Sequence, residues 1–223
     1  MGGGGFSEEP NNPLLDLYVL SKSDRLNPKI CFLPTASGDA DSYLLKFYTF
    51  FSRYNCILSH FSLFRPNTYD IEDFLLSHDI IYVGGGNTKN MLLLWKEWGV
   101  DSILRKAWER GIVLAGISAG AICWFEHGAT DSIPGCISSL NCLGILKGSC
   151  CPHYDRDILR PQQVPGLIQR RELKPGYALD NSVALYFVGD ELNETVSSID
   201  GKRARYLDIS STEELQVKFL GNK

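Results

Sequence analysis

Ser118 lies at the centre of Gly116-Ile117-Ser118-Ala119-Gly120, after the apolar run Ile112-Val113-Leu114-Ala115 and before Ala121-Ile122-Cys123-Trp124-Phe125. That order predicts a buried strand, a sharp turn and a helix, with the serine at the tip of a nucleophile elbow. Glycines on both sides fit a turn whose backbone is crowded or takes positive φ. The N–H groups and positive dipole end of the following helix would face an oxyanion forming at the serine. The plain alternative is a tight strand-to-helix turn with a serine N-cap.

A serine nucleophile needs a base, and the chain offers His60, His78, His127 and His153. His60 ends a strand candidate and His78 falls in a polar turn. His127 is expected on the elbow helix or just past it, pointing away from Ser118. His153 follows Cys150-Cys151-Pro152 in an irregular segment, where a loop-borne base would sit, so elimination favours it. The imidazole in turn needs an acid to hold its tautomer. Asp155 and Asp157 are close to it in sequence. Asp180, at the mouth of a strand beginning near Val183, is the preferred candidate and gives the chain order Ser, His, Asp. Val83-Gly84-Gly85-Gly86-Asn87-Thr88 closes another apolar strand. Its glycines leave backbone N–H groups uncovered for an oxyanion or carboxylate. It matches neither G-x-x-x-x-G-K-[ST] nor G-x-G-x-x-G. Asn87 and Thr88 can cap the next helix and still touch substrate.

The elements that must position these groups alternate. Strand-like segments at 29–34, 56–64 and 79–83 are separated by helix candidates at 42–54 and 69–77. Further helices are expected from Thr88 to Trp95 and from Ser102 to Arg110. This predicts an α/β fold with a parallel sheet and helices on both faces, whose ligands bind at the carboxyl ends of the strands. Both glycine loops fall at such ends. Residues 194–199 and 204–208 flank Asp200-Gly201 like the arms of a hairpin, so a small antiparallel β extension is expected toward the C-terminus. Gly2 to Gly5 form either the loop at the end of a strand or a flexible tail. Residues 1–223 read as a single domain without internal repeats.

Composition excludes several classes. A formal net charge of -4 leaves no footprint for nucleic acid or an anionic membrane. No apolar run is long enough for a membrane helix, and the N-terminus lacks the pattern of a signal peptide. The seven cysteines include no C-x-x-C pair, so no metal site or other cofactor is expected, and a reducing, cytoplasmic compartment is.

Gly84-Gly85-Gly86-Asn87-Thr88, Gly116-Ile117-Ser118-Ala119-Gly120 and Pro152-His153, with Phe32-Leu33-Pro34-Thr35-Ala36-Ser37 before them, resemble the signature set of the peptidase E family. That family comprises serine peptidases, α-aspartyl dipeptidases and cyanophycinases among them. The resemblance implies a flavodoxin-like fold similar to class I glutamine amidotransferases. It implies Ser118 as nucleophile, His153 as general base, and an oxyanion hole from the N–H groups of Gly85 or Gly86 and Ala119. The family's third triad member is a glutamate, for which Asp180 is the nearest match. Asp131 lies near another acidic position of the family. Its G-x-T-R-E stretch is absent here, and Arg160-Pro161-Gln162-Gln163 stands instead. Arg160, Arg170 or Arg171 remain to bind a carboxylate, and Arg171 is taken with Asn87 and Thr88 as substrate-binding. The expected activity is hydrolysis of short peptides through an acyl-enzyme, by a monomer or a homodimer. A glutaminase is disfavoured because position 118 is serine and Cys123 lies one and a half helical turns on. The alternative is a non-catalytic protein whose glycine loops bind an anion or nucleotide.

Overall fold

The computed structural model describes residues 1–221. Two short helices, α1 (Gly5–Glu8) and α2 (Leu14–Leu20), lead into β1 (Lys29–Leu33). There follow α3 (Asp41–Phe51), β2 (Ile57–His60), α4 (Ile71–Leu76), β3 (Ile80–Val83), α5 (Thr88–Trp98), α6 (Val100–Glu109), β4 (Val113–Gly116) and α7 (Ala119–Ile122). The four strands form a parallel sheet in the order β2-β1-β3-β4.

Side-chain alternation explains why both faces carry helices. Ile30, Phe32, Ile80 and Tyr82 face one way and pack with Phe6, Leu15, Phe47 and Phe51 from α1, α2 and α3. Cys31, Leu33, Ile81 and Val83 face the other way, against Leu75, Trp95, Ile103 and Leu104 from α4, α5 and α6. Strands buried on both faces read as continuous apolar runs, as these do. Each of these large side chains contributes about 1.5–3 kcal/mol by burial. Phe6 alone meets six aromatic rings of α3, β1 and β3 at centroid distances of 5.4–6.1 Å. That cluster pins the N-terminal segment across the sheet.

The second half comprises β5 (Phe125–Thr130), β6 (Ser138–Asn141), β7 (Leu146–Cys151), α8 (Leu159–Gln169), β8 (Gly176–Leu179), β9 (Val183–Val188), β10 (Glu191–Ser197), β11 (Ala204–Leu207), β12 (Thr212–Leu215) and β13 (Lys218–Phe219). A six-stranded mixed sheet runs β12-β11-β8-β7-β5-β6, and a three-stranded one β13-β10-β9. The antiparallel extension is thus larger than expected, and its connections differ. The strands flanking Asp200-Gly201 do not pair with each other. β10 pairs with β9, whereas β11 pairs with β8 and β12, so this turn passes the chain between sheets.

Two further expectations are resolved. The elbow helix is a single turn, so His127 falls past it, on strand β5. Gly2 to Gly5 are no flexible tail. The Gly2 N–H donates to the Val183 carbonyl, and the Gly2 and Gly3 carbonyls accept from the N–H groups of His153 and Ser182. A Cβ on Gly2 would lie 2.6 Å from the Asp180 carbonyl oxygen, and one on Gly3 2.5 Å from the Asn181 side chain. Glycine is required because Gly2 passes against backbone and Gly3 against the Asn181 amide.

Candidate active site

β3 and β4 end side by side, with Val83 opposite Gly116, so the two glycine loops emerge together. Ser118 has φ 56° and ψ -110°. A non-glycine residue in that region carries strain, and here the strain turns the serine hydroxyl outward. The flanking glycines serve close approach rather than positive φ. A Cβ on Gly116 would stand 2.1 Å from the Gly120 carbonyl oxygen, and one on Gly120 2.2 Å from that of Val83. Because α7 spans four residues, it offers its unpaired first N–H, at Ala119, rather than a long dipole.

His153 follows β7, and its own positive φ of 55° turns the ring back over the strand ends. Its Nε2 is 2.9 Å from the Ser118 Oγ. On the other side, its Nδ1 is 2.7 Å from the Asn181 Oδ1. An amide oxygen only accepts, so Nδ1 carries the proton and Nε2 is left to accept from the serine hydroxyl.

The third position therefore falls one residue from the expected one. Asp180 points away from the cleft. Its carboxylate accepts from the Arg203 N–H at 3.0 Å and pairs with Arg205 at 2.9 Å, tying β8 to β11. β8 stops at Leu179, and the next side chains alternate in direction, so Asn181 turns to the histidine. The backbone of Asn181 is held by Asp155, which accepts from its N–H at 2.7 Å. Burial opposes the Asp155 charge, but this bond and the Lys202 ammonium outweigh it and hold the carboxyl below its usual range. Asn181 also donates from Nδ2 to Glu8 at 2.7 Å.

The other glycine loop closes the opposite wall. The Gly84 N–H donates to the Leu33 carbonyl, and the Gly85 N–H to the Tyr43 hydroxyl at 3.1 Å. Gly86 has φ 139°, and a Cβ there would lie 2.1 Å from the Ala36 carbonyl oxygen. On Gly85, a Cβ would sit 3.3 Å from that of Ser118. Burial pushes the Tyr43 phenol up, so it stays protonated near neutrality and able to donate. An open cleft of about 370 Å³ is lined by Ser7, Glu8, Tyr43, Lys46, Gly85, Gly86 and Ser118 among others. A second cavity of about 310 Å³ between β4 and β9 is apolar, and neither Ser118 nor His153 lines it.

Three expected substrate contacts do not line the open cleft. Asn87 caps α5 through the Asn90 N–H and donates to the Ser132 carbonyl. Thr88 is buried against Thr130. Arg171 is exposed beyond the end of α8. The remaining arginine candidates are also committed. Arg160 is buried between Asp131 and Asp157, at 3.3 and 3.2 Å, and Arg170 pairs with Glu172.

All seven cysteines are free thiols. Burial pushes Cys31 and Cys150 up to about 12 and Cys151 to about 11, so these thiols stay protonated and unreactive. No cluster of three or more His, Cys, Asp or Glu side chains suited to a metal occurs among the described residues. Sequence reasoning missed Asn181, Glu8 and Tyr43. The only available signal for Asn181 was its place beside the chosen aspartate.

A hydroxyl, an imidazole and an amide oxygen in line, beside the free Ala119 N–H on a strained elbow, suit acyl transfer. The model of peptidase family S51 matches residues 1–195. The chain belongs to this family. It is a serine-type peptidase of the peptidase E kind, as the sequence motifs implied. It is 53% identical over 225 residues to the uncharacterized peptidase YgaJ of Bacillus subtilis (strain 168), covering 99% of this chain and 97% of that one. The fold is shared with a peptidase from an acI-B1 actinobacterium, at a TM-score of 0.72 and 17% identity over 97% of this chain and 92% of that one. A protein of Listeria monocytogenes EGD-e assigned to peptidase E aligns at a TM-score of 0.55 and 17% identity, over 91% and 93% of the two chains.

Proposed function

We propose that this S51 peptidase hydrolyses short peptides through a Ser118-His153-Asn181 triad and an acyl-enzyme. The reading rests on the 2.9 Å contact between the Ser118 Oγ and the His153 Nε2, with Asn181 on the far ring nitrogen. The serine proton passes to Nε2 as Oγ attacks the scissile carbonyl carbon. The resulting oxyanion takes the Ala119 N–H, with Gly86 on the facing loop. The Gly85 N–H joins only when it is released from Tyr43. As the tetrahedral intermediate collapses, the imidazolium gives its proton to the leaving amine, and the ester forms on Ser118. Water, deprotonated by the same imidazole, then hydrolyses the ester.

Neutral Asn181 fixes the imidazole tautomer by accepting from Nδ1–H. Short substrates fit a cleft at the small end of the range for ligand pockets. The anion-binding alternative is not favoured, because Gly84 and Gly85 already spend their N–H groups on Leu33 and Tyr43. A cytoplasmic setting suits seven unpaired cysteines. Among the described residues, no helix is long and apolar enough to cross a membrane.

A fluorophosphonate probe and a peptide library test the proposal together. Wild-type protein is expected to label at Ser118 and to cleave peptides. Ser118→Ala is expected to lose labelling and on the order of 10³-fold or more in kcat. Undiminished hydrolysis by a folded Ser118→Ala variant refutes the assignment.

A further inference from the structure

An asparagine beside a catalytic histidine poses a problem that a carboxylate does not. Turned one way, its amide offers oxygen to Nδ1 and selects the tautomer that leaves Nε2 free to accept the serine proton. Turned the other way, it offers NH₂, places the imidazole proton on Nε2, and disables the base. Something must choose between these orientations.

The choice is made at the other end of the amide. The Asn181 Nδ2 lies 2.7 Å from the Glu8 Oε2, and an ionised carboxylate has no proton to give. Only NH₂ can face it, so oxygen must face His153. Glu8 is held in place by the Gly4 N–H at 3.1 Å, with the Arg156 guanidinium 4.0 Å away. The amide lies tight against Gly3, where even a Cβ would come within 2.5 Å of its carbon. Asn181 is itself buried.

We infer that Glu8 is a positioning residue of the reaction, the fourth member of a Ser118-His153-Asn181-Glu8 relay that locks the orientation of the Asn181 amide and places a negative charge behind the imidazole. The inference rests on reading Ser118 and His153 as nucleophile and base. It adds that the carboxylate usually in contact with the histidine stands here one group further out, on α1, 173 residues from Asn181 in sequence.

The relay is tested by moving the charge. Glu8→Ala is expected to lower kcat roughly tenfold or more, with about 10⁴-fold as the ceiling for losing the correct tautomer, while KM and the melting temperature stay near wild type. Asn181→Asp alone sets two carboxylates against each other at the 2.7 Å contact and is expected to be impaired. Asn181→Asp combined with Glu8→Gln returns one carboxylate and one amide in swapped places, and is expected to be more active than Asn181→Asp. A solely structural role for Glu8 would not produce that rescue. Nitrogen-15 shifts of the His153 ring read the tautomer without any substrate: Nδ1–H in the wild type, a mixture in Glu8→Ala.

An unchanged kcat and an unchanged tautomer in Glu8→Ala overturn the inference. So does a loss confined to KM, which would make Glu8 a substrate contact in the cleft it lines, and so does failure of the double variant to recover. If the tautomer responds to Glu8→Ala but wild-type protein neither labels nor hydrolyses, the orienting role stands and the peptidase assignment of Ser118 fails instead.

Discussion

Asp16 gives the fold a pH-dependent weakness that one substitution removes. The residue lies on α2 beneath the N-terminal segment and is fully buried. One oxygen accepts from the Tyr82 hydroxyl at 3.1 Å, and the other has no partner. Burial, only partly offset by the Tyr82 bond, raises this carboxyl from 3.8 to about 7. Each pH unit of displacement is worth about 1.4 kcal/mol, so the buried anion is disfavoured by about 4 kcal/mol. The native state binds the proton more tightly than the unfolded chain. This contribution to stability is therefore complete below about pH 3.8, falls as pH rises toward 7, and is gone above it. Asp16→Asn keeps an acceptor for Tyr82 and carries no charge at any pH. Urea unfolding of both proteins between about pH 4.5 and 8 isolates the effect, because lowered surface carboxylates such as Glu126 are common to both. The variant is expected to gain on the wild type as pH rises, by about 3 kcal/mol across the range. A difference flat to within about 1 kcal/mol refutes the argument that Asp16 is buried as a neutral acid.

Other expectations concern activity. His153→Ala is expected to cost about as much kcat as Ser118→Ala, whereas His127→Ala, on β5 and outside the relay, leaves kcat within a few-fold; peptide hydrolysis by the two variants compares them. Asn181→Leu is expected to depress kcat by removing the acceptor for Nδ1–H. Asp180→Asn, which weakens the Arg203 and Arg205 contacts, is expected to lower stability by about 1–3 kcal/mol while sparing kcat. Kinetics alongside urea melts separate these effects, and the reverse pattern would restore Asp180 to the triad. Strict preference for an N-terminal aspartate is not expected, because Arg160 and Arg170 are already paired and Arg171 stands outside the cleft. A kcat/KM for Asp-Leu more than about a hundredfold above that for Ala-Leu, or roughly 2.7 kcal/mol, would show that another cation, such as Lys46 in the cleft lining, binds the carboxylate.

Much of this protein is legible from its residues in order. The alternating apolar runs specify the parallel sheet, because strands covered on both faces must be continuously apolar while the intervening helices show a 3.6-residue period. Gly116-Ile117-Ser118-Ala119-Gly120 names the nucleophile, because only glycine lets the helix back onto the strand end so closely that a Cβ would fall 2.1–2.2 Å from a carbonyl oxygen. His153 follows from the small number of histidines and their settings. The rest depends on contacts between distant segments. Asp180 and Asn181 are neighbours, and which one meets the histidine is decided by where β8 ends and by the prior claim of Arg205 on Asp180. Glu8 enters the site only because the Phe6 cluster and the hydrogen bonds of Gly2 and Gly3 draw the N-terminal segment between the strand ends. The two strands around Asp200-Gly201 look like a hairpin, yet each finds a better partner in a different sheet. Local pattern reports which face a residue prefers. It cannot report which of two adjacent polar side chains will find its partner across the fold, because that partner is brought there by the packing of the whole chain.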